Sequence, residues 1–162
     1  MSFPAASTFL DRVRSPFKLR LFLLAKLPAA FLAGLSVKEA TENTCMVTVP
    51  YRWFTQNPFR STYFACLAMA AELSTGVLAM AQLQGSRPAV SMLITGMEAR
   101  FLKKATGTTW FTCADGAKIA KAVASARAAD AGEAVTVVST GRNAAGEVVA
   151  EFAFTWSFRA KR

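Results

Sequence analysis

Residues 56–80, QNPFRSTYFACLAMAAELSTGVLAM, contain the segment that decides the fold. From residue 63 to residue 80 almost every side chain is apolar or small, which predicts a helix that is covered on all sides. We expect this helix to begin near Ser61, a suitable N-cap, and to end near Leu83. One carboxylate, Glu72, lies in its middle, and no Lys or Arg occupies a neighbouring helical turn. The central question for function is therefore what surrounds this carboxylate.

The segments that flank this helix alternate apolar and polar residues, as strands do. Ahead of the helix, CMVTV alternates and stops near Pro50, and LSVKEAT just before it is the predicted partner strand. After the helix, four strands are predicted at 89–104, 107–115, 133–140 and 146–158, with Gly96 as a bulge or a close approach. An Ala-rich stretch between the second and third of these predicts a short helix. A hydrophobic helix followed by antiparallel strands indicates an α+β fold, in which one curved sheet wraps the helix.

The N-terminal part of the chain has a different pattern. Residues 1–15 are expected to form a loose arm, and residues 16–35 two short helices divided at Pro28, with Gly34 ending the second. A chain of 162 residues is most simply one domain with one core. We therefore expect a single domain over residues 1–162, with its core in residues 36–158.

Histidine and cysteine usage excludes several kinds of site. The chain has no histidine, so a Ser-His-Asp hydrolase, a Cys-His protease and a His-ligated metal site cannot be built. The three cysteines, Cys45, Cys66 and Cys113, are far apart and lie in apolar segments, which argues against a disulfide framework or a zinc site. We expect buried, reduced thiols in a cytoplasmic protein, without a metal.

The chain carries a net charge of +9, which favours an anionic partner. Its cations are spread along the sequence, however, and no nucleic-acid-binding motif is visible. The apolar segment 63–83 is long enough to span a bilayer, but a carboxylate in mid-span makes that costly. We therefore expect neither nucleic acid nor a membrane as the partner. A basic protein that binds either of these surfaces, with an affinity that falls steeply with salt, stays an alternative.

The helical neighbours of Glu72 are all apolar or small: Ala65, Ala68, Met69, Thr75, Gly76 and Ala79. Burial without a neighbouring cation raises the pKa of a carboxylate. A general base that works near neutral pH needs a carboxylate with a raised pKa. The small neighbours would leave a slot for a ligand or a water. Two structural interpretations stay open: the helix face reaches solvent at an edge, or the carboxylate bonds to a partner subunit.

The order of elements and the segment 56–80 resemble the hotdog fold, and more closely the acyl-CoA thioesterases of the phenylacetyl-CoA type. In those proteins an Asn precedes the helix, His-Gly-Gly opens it, and a carboxylate follows fifteen residues after the Asn; here Asn57 and Glu72 have that spacing. NPF and TYFACLAMAAEL also resemble a poorly characterised bacterial branch of this superfamily. The resemblance covers roughly residues 30–158. It departs at His-Gly-Gly, which is replaced by Tyr63, Phe64 and Ala65.

The resemblance implies a role for each matching residue. Glu72 would activate water or attack directly, and Asn57 would position the water or the substrate carbonyl, although Asn-Pro is also a common turn starter. The backbone N–H groups from Tyr63 to Ala65 would stabilise the oxyanion, and the Tyr63 hydroxyl would partly replace the missing His. Weaker candidates for substrate binding are Arg60, Thr75, Gly76 and Arg100.

The resemblance also implies the substrate and the assembly. The substrate would be an acyl-CoA or acyl-carrier thioester, and no cofactor would be needed. Asn57 lies before the helix and Glu72 well inside it, so a meeting within one subunit would need the loop to double back sharply, whereas in a two-fold dimer the Asn of one chain can face the Glu of the other. We therefore expect a homodimer, or a dimer of dimers, with the site at the dimer interface. The alternative is a hotdog protein that binds acyl-CoA or fatty acid without turnover, which the missing glycines and His favour.

Overall fold

The computed structural model of the protein describes residues 4–85, 87–128 and 132–161, apart from the side chains of Pro4 and Ala5. The chain begins with three helices, α1 (Pro4–Arg14), α2 (Pro16–Lys26) and α3 (Pro28–Leu32). Strands β1 (Ser36–Ala40) and β2 (Cys45–Val49) follow, and then a short 3-10 helix (Trp53–Thr55) and the long helix α4 (Phe64–Leu83). The second half contains β3 (Val90–Phe101), β4 (Thr109–Cys113), α5 (Gly116–Ala128), β5 (Glu133–Arg142) and β6 (Val148–Ala160).

In the described part of the chain the strands form one antiparallel sheet of six strands, in the order β1-β2-β4-β5-β6-β3. The inner face of this sheet packs on α4 through β2, β4, β5 and β6. The predicted α+β architecture, a curved sheet around one central helix, is therefore confirmed. The first and last strands in this order, β1 and β3, form opposite edges of the sheet.

Strand β6 supplies most of the large side chains of the inner face. Phe152, Phe154, Trp156 and Phe158 are all buried, as the alternation predicts, because successive residues of a strand point to opposite faces. The pairing of β6 with β3 shifts register between Ile94 and Gly96, which confirms the predicted bulge.

Helix α4 is not covered by the sheet alone. Helices α1, α3 and α5 also pack against it, and most of its residues are buried. A stripe of half-exposed residues nevertheless remains on one side of the helix: Ala65, Ala68, Met69 and Glu72. The expectation of a helix covered on all sides by one sheet is thus wrong for this stripe, which matters because Glu72 lies on it. By length and composition α4 could cross a membrane, but 67 % of its most apolar window is buried inside the fold.

Helix α4 begins later than the sequence suggests. Ser61 is not its N-cap, because the Ser61 hydroxyl bonds to the side chain of Asn57 instead. The backbone stays extended as far as Tyr63, which is the N-cap residue and makes no side-chain capping bond. The first helical residue is therefore Phe64.

The N-terminal arm expected over residues 1–15 is helical from Pro4 to Arg14; residues 1–3 lie outside the described part of the chain. Ala6, Leu10 and Val13, spaced by four and three residues, are buried. Helix α1 packs against α4 and β1 through this face, and tertiary packing therefore orders it. The predicted division of the next two helices at Pro28 is confirmed, and Gly34 follows α3 with a φ of 75° that suits glycine.

Candidate active site

Glu72 lies on the half-exposed stripe of α4 beside a cavity of about 220 Å³. The other wall of this cavity is the turn between α2 and α3, residues 26–30. Within the described residues, no hydrogen bond or ion pair is made by the carboxylate of Glu72, and burial raises its pKa. Lys26 also lines the cavity, but it makes no ion pair with Glu72. The carboxylate is thus partly withdrawn from water, has no partner within the described residues and faces a cavity that a small ligand can enter.

Thr75 and Gly76 shape the surroundings of this carboxylate. A Cβ atom on Gly76 would lie 3.1 Å from Oε1 of Glu72, so the glycine leaves the space that the carboxylate occupies. The hydroxyl of Thr75 donates to the backbone carbonyl of Glu72 (2.9 Å) and accepts a hydrogen bond from Nε1 of Trp156 (3.1 Å). This chain of hydrogen bonds fixes the helix at Glu72 to the strand β6.

Replacing Thr75 by Val is expected to lower the free energy of unfolding by about 1–3 kcal/mol, because the buried indole N–H of Trp156 loses its acceptor. Urea denaturation monitored by circular dichroism measures the loss. In a Trp156→Phe background, which has no indole N–H, the same substitution should cost about 1 kcal/mol less. An equal cost in both backgrounds would show that the hydrogen bond does not hold the helix.

The N-terminus of α4 borders a larger cavity, of about 540 Å³. Its walls are largely apolar, with Phe59, Phe64, Leu67 and Phe101 among the lining residues. The backbone N–H groups of Phe64 and Ala65 have no acceptor within the described residues, as is usual in the first turn of a helix. These two groups and the positive end of the helix dipole can stabilise a negative charge.

Tyr63 does not supply a third backbone donor. Its N–H donates to the carbonyl of Thr55 at 2.7 Å, so the expected set of three N–H groups from Tyr63 to Ala65 is reduced to two. The ring of Tyr63 packs edge-to-face against Phe64 and lines the same cavity. Its hydroxyl therefore stays a candidate donor at this end of the helix.

Asn57 organises the loop that leads into α4. Its Oδ1 accepts hydrogen bonds from the backbone N–H groups of Phe59 (3.0 Å) and Ser61 (3.2 Å), and its Nδ2 donates to the Ser61 hydroxyl (3.1 Å). Arg60, between them, has a φ of 56°, which is uncommon for a residue other than glycine. Asn57 thus shapes this loop and also lines the larger cavity. Its Nδ2 group has two hydrogens and donates one to Ser61, so the second can donate to a ligand.

The cations predicted to bind substrate lie at different places. Arg60 is exposed and lines a shallow depression next to the larger cavity. Arg100 is also exposed and lies 4.0 Å from Glu151 across the β3–β6 pair, and it lines neither cavity. Two lysines line the larger cavity: Lys103, which pairs with Glu147, and Lys104, which makes no ion pair within the described residues.

The structure therefore divides the predicted site residues into two groups within one chain. Glu72 lines the smaller cavity, with the buried residues Thr75 and Gly76 beside it but not in the cavity wall, and Asn57, Tyr63 and Phe64 line the larger one. Trp156 was missed at the first of these sites. The pattern of buried residues identifies its strand face, and a buried indole needs a hydrogen-bond acceptor, but the sequence does not say that Thr75 provides it.

A curved antiparallel sheet wrapped around one long central helix defines the thioesterase-like hotdog fold, and solved structures with this fold match the chain. The chain belongs to the family described as domain of unknown function (DUF4442), which matches residues 18–158. Among curated proteins, no sequence matches it.

Three of the solved structures illustrate the likeness. A Pseudomonas aeruginosa protein of unknown function, described as a probable thioesterase, has a TM-score of 0.75 and 20 % identity, over 91 % of this chain and 97 % of that one. A Chlorobaculum tepidum protein of unknown function has a TM-score of 0.75 and 14 % identity, over 91 % and 98 %. A Haemophilus influenzae thioesterase has a TM-score of 0.61 and 12 % identity, over 90 % and 91 %. At these identities the likeness establishes the fold.

Proposed function

We propose that the protein hydrolyses acyl thioesters, with Glu72 as the general base. The observation that carries this proposal is a half-buried carboxylate with a raised pKa and no cationic partner within the described residues, beside a cavity that a small group can enter. A half-buried carboxylate without a cationic partner lowers the stability of the folded protein. A role in acting on a bound ligand explains why such a group is present. The likeness to thioesterases of the same fold supports this choice of reaction.

The proposed reaction has two steps. The carboxylate of Glu72 takes a proton from a water molecule, whose oxygen attacks the thioester carbonyl carbon, and the C–S bond then breaks as the tetrahedral intermediate collapses. The proton on Glu72 passes to the departing sulfur, so the products are a free acid and a thiol. The oxyanion of the intermediate lies at the free N–H groups of Phe64 and Ala65 in the partner subunit.

We infer a dimer from two features of one chain. Glu72 follows Phe64 by eight residues, or about 12 Å along the axis of α4 at 1.5 Å per residue. The base and the N–H groups of one helix therefore cannot both reach one carbonyl group. A two-fold axis that sets α4 of one chain beside α4 of another would bring the base of each chain to the helix N-terminus of its partner.

An exposed apolar surface next to α4 suits such a partner. Tyr63, Phe64, Met97 and Phe101 are each 46–52 % exposed, and the last two lie on the inner face of β3 beyond the part of the sheet that α4 covers. The outer edge of β3 pairs with no other strand in the described part of the chain. A second copy would cover this surface and close the larger cavity.

The proposed substrate is an acyl-CoA or an acyl-carrier thioester. The apolar walls of the larger cavity suit an acyl group, and Lys104 and Arg60 are cations at or near its rim that could bind phosphate. The three cysteines are buried free thiols, which supports a reducing compartment such as the cytoplasm.

The direct test is thiol release from a panel of acyl-CoAs of different chain lengths, followed with a thiol-reactive dye. Turnover of at least one acyl-CoA is expected, and none on any substrate would contradict the proposal. Acyl-CoA or fatty acid that is bound without turnover would instead identify a non-catalytic acyl-binding protein. The side chain of Phe64, at a position where the resembling thioesterases have glycine, favours that second candidate.

The pH profile gives an independent prediction. The base is active only as the carboxylate, so kcat/KM should fall on the acid side through an apparent pKa higher than that of an ordinary glutamate, since burial raises the pKa of Glu72. Lys26 is the other charged residue at the cavity. Rates measured from about pH 4 upward begin below the ordinary glutamate pKa of 4.5 and test this. An acid limb at the ordinary glutamate value would show that Glu72 is not the base.

A further inference from the structure

Helix α2 buries one face and exposes another that is also apolar. Leu19 and Leu23 are buried, whereas Phe17, Leu21 and Leu24 are 73 %, 52 % and 53 % exposed. Successive residues turn by about 100° around a helix, so the three exposed side chains, spaced by four and three residues, form one stripe opposite the buried pair. We call Phe17, Leu21 and Leu24 the outer stripe. Side chains of this size are costly to leave in water together, which indicates that something covers them.

Cations flank the outer stripe on both sides. Lys18 and Arg20 lie to either side of it around the helix axis, Lys26 ends the helix, and α2 contains no carboxylate. None of the three makes an ion pair within the described residues. The guanidinium of Arg20 lies over the ring of Phe31, 4.6 Å from its centroid, which holds it close to the apolar surface.

A cavity beside the outer stripe likewise combines apolar side chains with cations. It lies between α1 and α2, has a volume of about 340 Å³ and is lined mainly by apolar side chains, with Arg12 and Lys18 as its two cations. On the neighbouring part of α1, the carboxylate of Asp11 is already paired with Arg14. An apolar cavity with cations at its lining suits an amphiphile that has an acyl chain and an anionic headgroup.

From these observations we propose that α1 and α2 dock the protein reversibly on an anionic lipid surface. The outer stripe enters the headgroup region, and Lys18, Arg20 and Arg12 contact lipid phosphates, as in helices that lie in the plane of an interface. An acidic protein would satisfy the cations, but the cavity suits an acyl chain and the apolar stripe suits a layer of acyl chains. This contact is peripheral, and it differs from the membrane span that the buried position of α4 argues against.

The position of α2 in the fold agrees with this role. It packs on β1, so the outer stripe and the unpaired edge of β3 lie at opposite edges of the described sheet. The outer stripe ends at Leu24, just before the α2–α3 turn, and this turn lines the cavity of Glu72. A docked molecule would therefore hold that cavity close to the lipid surface. The proposal does not depend on thioester hydrolysis.

Cosedimentation of the full chain with phosphatidylglycerol vesicles, compared with phosphatidylcholine vesicles, tests the proposal. We expect binding to the anionic vesicles only, and a marked loss of binding at high salt, because the Debye length shortens. Both Leu21→Asn/Leu24→Asn and Lys18→Glu/Arg20→Glu should lower the partition coefficient at least ~10-fold. The substituted side chains are exposed, so melting temperatures should stay close to that of the parent, with at most a small loss in Lys18→Glu/Arg20→Glu from the contact of Arg20 with Phe31.

Matched controls carry the same chemical changes on other surfaces. Leu93→Asn, at a position on β3 that is 65 % exposed, and Lys121→Glu/Arg159→Glu should keep the partition coefficient within about twofold of the parent. Absent binding to anionic vesicles, equal binding to neutral ones, or equal loss in the controls would each overturn the proposal. A change of oligomeric state in Leu21→Asn/Leu24→Asn, without a change in vesicle binding, would show instead that the stripe is a protein interface.

Discussion

Replacing Glu72 by Gln is expected to lower the turnover of the best acyl-CoA substrate at least ~100-fold, because the amide cannot take a proton from water. Glutamine has nearly the same size and shape as glutamate, so it should fit the space beside Gly76 and keep the cavity. Thiol release under saturating substrate measures kcat, and isothermal calorimetry with a non-hydrolysable thioether analogue measures binding. The loss should appear in kcat, with the affinity for the analogue nearly unchanged.

The stability of this variant separates a functional carboxylate from a structural one. Because the pKa of Glu72 is raised in the fold, the folded state binds the proton more tightly than the unfolded state does. The contribution of Glu72 to the free energy of unfolding therefore falls as pH rises from the ordinary glutamate pKa through the raised value. The Glu72→Gln variant does not lose stability in this way, because its amide does not ionise. It should therefore be at least as stable as the parent at neutral pH. Clear destabilisation would mean that the carboxylate holds the structure together.

Glu39→Gln is the matched control, since Glu39 is an exposed glutamate on β1 that lines neither cavity. It should leave kcat and the pH profile unchanged. Full activity in Glu72→Gln would remove the proposed mechanism, whereas a parent protein with no activity on any thioester would remove the reaction itself. These two outcomes are distinct.

The sequence predicted the helices and strands in which the spacing of apolar residues follows the buried face. The face of β6 that carries Phe152, Phe154 and Trp156 is one example, and the apolar length of α4 is another. Local competition explains the errors at the ends of elements. Ser61 has the chemistry of an N-cap, but Asn57 engages its hydroxyl, so the helix begins at Phe64. Helix α1 forms because α4 and β1 offer it a surface, and the helical spacing of its buried residues is a local signal that the expectation of a loose arm overlooked.

The candidate site could be predicted in its chemistry but not in its arrangement. The absence of cations around Glu72 is visible along the chain, and the structure agrees that no ion pair forms within the described residues. The α2–α3 turn that walls its cavity is more than forty residues away, and such contacts depend on the whole fold. The engaged N–H of Tyr63 likewise depends on the path of the loop back to Thr55.

Phe64→Pro is expected to lower kcat about 100-fold, the loss typical of removing one donor from an oxyanion hole. Proline suits the first position of a helix, and Tyr63 before it has the extended backbone that precedes proline. The substitution therefore removes one N–H group and leaves α4 intact. Phe64→Ala is the matched control, because it also removes the ring but keeps the N–H, and it should retain activity within about tenfold. Similar losses in both variants would assign the effect to the ring.

Mixing the two inactive variants tests whether the site is shared between subunits. If Glu72 of one chain acts with the helix N-terminus of its partner, a heterodimer of Glu72→Gln and Phe64→Pro chains has one intact site and one site with both defects. Random exchange of equal amounts makes half of the dimers mixed, so roughly a quarter of the parental activity should return. If base and donors instead acted within one chain, every site would carry a defect and mixing would restore nothing. Recovery that requires subunit exchange, and that fails for either variant alone, would therefore place the base and the oxyanion donors on different chains.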